Sequence, residues 1–85
     1  MSVPTVSETI RKYILEEYFD GPPEELTDDL PLISSGLIDS ISILQTVEFL
    51  EDSFKFEFEP HEVDQENLNT IEQIVAFVQR KMAKN

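Results

Sequence analysis

Apolar residues recur at helical spacing in three stretches of this chain and lose that spacing between them. In "TVSETIRKYILEEY", Val6, Ile10, Tyr13 and Ile14 fall at i, i+4, i+7 and i+8, one face of a helix over about 5–19. Thr5 with Glu8 reads as a capping box with Pro4 just outside it, and Gly21, Pro22 and Pro23 end the helix. In "DSISILQTVEFLEDSF", Ile41, Leu44, Val47, Leu50 and Phe54 return every three or four residues, which predicts a second long helix over about 40–54. Asp39 is its N-cap and Ser40 its first helical residue. "NTIEQIVAFVQRKM" carries Ile71, Ile74, Val75, Val78 and Met82 on one stripe of a helix over about 70–83. Asn69 with Glu72 reads as its capping box, and Arg80, Lys81 and Lys84 lie near its negative end.

The stretches between are of two kinds. From about 20 to 39 there is no period, only Leu26, Leu30, Leu32, Ile33, Leu37 and Ile38 among acids, prolines and serines. So long a connection in a small domain packs on the core or carries function. "KFEFEP" alternates like a strand, but Pro60 and the lack of a partner strand favour a loop carrying buried aromatics. "PHEVDQ" reads as a short helix over about 60–65 with Pro60 at its start. The pattern as a whole predicts one all-α domain over 1–85, a small bundle of three main helices and a short extra one.

At 85 residues without cysteine, such a bundle has neither disulfides nor thiolate metal sites. Hydrophobic residues make up 40% of the chain, too many for a disordered acidic tail. The net charge of -12 is unevenly spread: between Tyr13 and Gln79 the only basic residue is Lys55. That surface repels nucleic-acid phosphate and anionic lipid and attracts basic protein patches. No apolar run approaches the roughly 20 residues of a membrane span, and "MSVPTVSETI" lacks the parts of a signal peptide. A soluble, monomeric, cytosolic protein is therefore expected.

Ser40 is the candidate for chemistry. A catalytic serine needs a base and oxyanion donors, but the only histidine, His61, has no sequence tie to it. "LIDSI" also lacks the glycines of a nucleophile elbow. No phosphate-binding glycine loop, zinc motif or calcium loop occurs, so no metal site is expected. A helix N-terminus does favour a phosphoester on that hydroxyl. Taken alone, Asp39 and Ser40 read rather as a plain helix cap.

With its surroundings, "LPLISSGLIDSISILQTVEFLEDSF" resembles the acyl carrier protein family, including its aminoacyl and peptidyl carriers. The likeness lies in a leucine-bearing loop, a glycine, an aliphatic residue and then Asp-Ser leading into an acidic helix; Ile41 stands where leucine is usual. "FEFEPHEVDQENLNTIEQIVAFV" resembles the family's aromatic residue, short third helix and final helix. The resemblance implies an acyl-carrier bundle with a long loop between helices I and II. It implies that Ser40 receives 4'-phosphopantetheine from coenzyme A through a separate phosphopantetheinyl transferase using magnesium. Asp39 would then engage that transferase and its metal. The arm's thiol would hold an acyl group for partner enzymes.

Those partners would be a loading ligase or synthase and downstream transferases with basic patches. Leu37 and Ile41 are the candidates for an apolar contact with them, with core packing the alternative for both, and Glu48, Glu51 and Asp52 for an acidic one. Glu48 and Gln45 depart from carriers of fatty acid synthesis and point to a specialised carrier, in lipid, polyketide or other biosynthesis. A free-standing aminoacyl or peptidyl carrier is the alternative. An acidic helical adaptor with Ser40 unmodified is a further one, and an enzyme with its own active site is not expected.

Overall fold

The computed structural model describes residues 5–83. Pro4 and Lys84, assigned above to the two chain ends, lie outside them. Helix α1 spans Val6–Glu17, and its start is fixed by Thr5, whose hydroxyl oxygen accepts the Glu8 N–H at 3.1 Å. After a 3-10 turn at Pro23–Glu25 come α2, Ser40–Phe54, a second 3-10 turn at Pro60–Glu62, the four-residue α3, Gln65–Leu68, and α4, Ile71–Ala83. The described residues contain no strand, and the fold is an all-α bundle of acyl-carrier type.

The core forms where the apolar stripes meet. Ile10 and Ile14 of α1, Val47 and Leu50 of α2, Leu68 of α3, and Ile71, Ile74, Phe77 and Val78 of α4 are buried together. The long loop joins them through Leu26, Leu32 and Ile38, all buried, so its aliphatic residues do pack. "KFEFEP" is a loop, as its proline predicts: Phe56 is buried, and the Phe58 ring stacks on Phe77 with centroids 4.8 Å apart.

Four expectations are corrected. The helix placed at about 60–65 is a 3-10 turn over Pro60–Glu62, and α3 follows separately. Glu62 accepts the Glu59 N–H at 2.8 Å and closes that turn early, while the Asp64 carboxylate caps the next helix through the Asn67 N–H at 3.0 Å. Asn69 does not cap α4. Thr70 and Gln73 do so reciprocally, through Gln73 N–H to Thr70 Oγ1 at 3.0 Å and Thr70 N–H to Gln73 Oε1 at 3.2 Å. Asn69 is taken by the loop instead. Met82 is 41% exposed, and Phe77 occupies the buried place on α4. On α2, Ile41 and Leu44 stand out of the core at 70% and 60% exposure.

The loop is tied at three points. The Arg11 guanidinium donates to the Leu26 carbonyl and pairs with Asp28. The Asp28 carbonyl accepts the Glu72 N–H at 3.0 Å. Asn69 accepts the Ile33 and Ser34 N–H groups on Oδ1, at 2.9 and 3.1 Å, and the Leu32 N–H on its backbone carbonyl at 2.6 Å. No helix of the described residues is long and apolar enough to cross a membrane.

Candidate functional site

The loop delivers the chain to α2 by one sharp turn. Gly36 has φ +86, a left-handed conformation that glycine adopts without the strain a Cβ brings. Its N–H donates to the Ile33 carbonyl at 3.0 Å, and the Ile38 N–H then donates to the Leu32 carbonyl at 2.9 Å, which buries Ile38. Asp39 follows with extended backbone. Its carboxylate Oδ1 accepts the Ser42 N–H at 2.8 Å, while its carbonyl accepts the Ile43 N–H at 2.9 Å and opens the helix.

Ser40 is thus the first residue of α2, and it is exposed. The Asp39 cap has an electrostatic consequence. The Ser42 backbone N–H, the largest influence, holds the exposed Asp39 carboxyl below the usual carboxylate range. A negative charge therefore stands on the residue before Ser40 throughout the neutral range. No hydrogen bond among the described residues joins His61 to Ser40; His61 contacts Glu59, 3.7 Å away, in the second 3-10 turn.

The other candidates divide by exposure. Ile41 and Leu44 make an open apolar patch within the first turns of α2, and Leu37 beside them is half-buried against the core. Glu48 and Asp52 are exposed and one turn apart on α2. Glu51 is half-buried between them, and its Oε2 accepts the Phe58 N–H at 2.8 Å, so this acid also holds the loop that follows α2. The three acids share a groove with Phe56, Glu57 and Phe58.

Two features of this region escaped the sequence reading. Leu44 belongs to the open patch; its spacing pointed to the core stripe. Tyr18 reaches from the end of α1 to the Ser42 carbonyl and to Gln45 Oε1, both at 3.4 Å, and its hydroxyl lies 3.1 Å from that of Tyr13. Tyr13 stacks on Phe49 with centroids 3.9 Å apart, and burial pushes its hydroxyl up to about pKa 12. The aromatic pair thus joins α1 to the helix that starts at Ser40. Only the Tyr13 position on the apolar stripe of α1 hinted at it.

The exposed serine, its aspartate cap and the helix behind it can be compared with known proteins. The family model for the phosphopantetheine attachment site matches residues 4–78. This chain belongs to the phosphopantetheine-binding carrier proteins. Among curated relatives, a probable acyl carrier protein, PigG, of a Serratia species is 31% identical over 71 residues, which cover 84% of this chain and 82% of that protein. A D-alanyl carrier protein of Lactococcus lactis is 35% identical over 70 residues, covering 81% and 89%. The prosthetic group of this carrier family is 4'-phosphopantetheine, joined covalently. The carrier has an exposed serine at the head of α2 and, being without cysteine, lacks a thiol of its own.

Proposed function

We propose that this chain is a discrete carrier whose Ser40 bears the 4'-phosphopantetheine arm and whose acyl cargo passes between partner enzymes of a specialised biosynthetic route. The observation that carries the proposal is the exposed Ser40 hydroxyl at the first position of a capped helix, in a chain of this family. In the attachment reaction the Ser40 oxygen bonds to the β-phosphorus of coenzyme A. The bond to 3',5'-adenosine bisphosphate breaks, and the serine proton leaves to a base of the transferase. The Asp39 carboxylate, held ionised by its cap, engages the transferase and its magnesium. The helix N-terminus behind Ser40 favours the anionic phosphodiester so formed.

The bound arm supplies a terminal thiol, on which an acyl group is held as a thioester. The chain's own residues present it. Leu37, Ile41 and Leu44 offer partners a small apolar contact beside the attachment point. Glu48, Asp52 and, through its charge, Glu51 meet basic patches on a loading ligase or synthase and on downstream transferases. Contacts of this kind give fast, salt-sensitive association more than tight binding.

A second reading, aminoacyl cargo, is favoured by the relatives named D-alanyl carrier proteins. Family membership favours either carrier over the acidic adaptor. The deciding experiment is an intact mass after incubation with coenzyme A, magnesium and a broad-specificity phosphopantetheinyl transferase. The wild type is expected to gain one phosphopantetheine and Ser40→Ala none, with helical content unchanged. An increment on Ser40→Ala, or none on folded wild type, refutes the assignment of Ser40.

A further inference from the structure

A crevice in the carrier's core lies between the loop, α2 and α3. Its walls are Ile33, Ile38, Ile43, Thr46 and Leu68, and it is too narrow to admit a water molecule. Ile38 and Ile43 bracket Ser40 in the chain, so this crevice is a way into the core for a long alkyl group attached there. Three of the five walls are isoleucines, whose branched side chains have few rotamers with which to make way. Thr46 is held too: its hydroxyl donates to the Ser42 carbonyl at 2.9 Å.

The two sides of the crevice are also bound to each other. Leu68 forms the α3 side, and the next residue, Asn69, accepts the N–H groups of Leu32, Ile33 and Ser34 on the loop side. Moving Ile33 away from Leu68 breaks those three bonds together. We infer that Asn69 is a latch that keeps the crevice shut, so that the cargo is a short acyl or aminoacyl group left outside the core and not a long alkyl chain folded into it. The inference rests on Ser40 being the attachment site.

The test loads the whole chain from acetyl-coenzyme A and, separately, octanoyl-coenzyme A, and follows three readouts. These are thermal midpoint, amide resonances of Ile33, Ile43, Thr46 and Leu68, and thioester cleavage by hydroxylamine. On the wild type the two loaded forms are expected to melt together, to share those resonances and to be cleaved at rates within about twofold, since a buried state occupied half the time would halve the rate. In Asn69→Ala the octanoyl form is expected to become the more slowly cleaved and to shift the Leu68 resonance. Where Asn69→Ala does not fold, Ile43→Ala, which widens the same crevice, is expected to do likewise.

Octanoyl protection already present in the wild type, with shifted Leu68 and Ile43 resonances, overturns the restriction on cargo while leaving Ser40 as the attachment site. Equal cleavage of both forms in the folded Asn69 variant, which loses the two side-chain bonds and keeps the backbone one from Leu32, overturns the Asn69 side chain as the latch. Absence of any mass increment removes the carrier assignment, and this inference with it.

Discussion

Helices α2 and α4 are of nearly equal length, and α2 is the more apolar on average, yet α4 is the better buried. On α4, Ile71, Ile74, Phe77 and Val78 are all inside. On α2 the buried residues are Thr46, Val47 and Leu50, while Ile41 and Leu44 remain in solvent. The apolar content of α4 is thus used by the fold, whereas part of that in α2 remains uncovered, and the uncovered part adjoins the exposed serine. A solvent-facing patch of large aliphatic residues on so small a protein is surface that folding does not need.

Substitutions can break this comparison. The largest effect is expected from Ile74→Ala on α4, which should cost about 2–5 kcal/mol in urea denaturation because a fully buried side chain leaves a cavity. A cost as small as that of a surface change would mean that α4 is not the structural half of the pair. Asn69→Ala should cost about 1–3 kcal/mol, by leaving loop N–H groups without their acceptor. Little change in stability there would show that water replaces the side chain.

A smaller effect belongs to the Asp39 cap, and it depends on pH. The folded-state pKa of Asp39 is depressed, so its contribution is present above the unfolded value near 4 and fades as pH falls through the lower folded value. Glu62 shifts in the same direction, mainly through the Glu59 N–H and then Lys81, 2.9 Å away. Asp39→Asn should therefore lower stability at neutral pH and converge with the wild type in acid. Parallel acid-unfolding curves would count against the cap as a source of that dependence. The smallest change in stability, within about 0.5 kcal/mol, is expected for Ile41→Ala. The same variant should slow transfer from a loading enzyme, and unchanged transfer would remove Ile41 from the docking patch.

Much of this organisation is readable in the sequence, and the misses have physical causes. Thr5, Asp39 and the prolines mark helix limits because capping and ring constraints act within a few residues. Gly36 could be placed in the motif but not explained until its positive φ appeared. Leu44 was misplaced, and Ile41 could be placed both on the stripe and in a partner contact, because periodicity identifies residues that share a face and does not say whether a neighbour covers it. Asn69 and Thr70 are adjacent and equally able to cap α4; the choice was made by loop N–H groups more than thirty positions away in the chain, which no local pattern reveals. Exposed Glu48 and Asp52 could be read from charge, but the bond from the Phe58 N–H to Glu51 depends on how the chain turns after α2.

Asp28 stands between the two ends of the fold, its carboxylate on Arg11 of α1 and its carbonyl on the N–H of Glu72 in α4. The loop is fastened there to both helices at once, elements that lie far apart in the chain. The turn that presents Ser40 belongs to that same loop. That turn therefore has a keystone outside itself: loosening either the first or the last helix would slacken the segment that leads into Ser40.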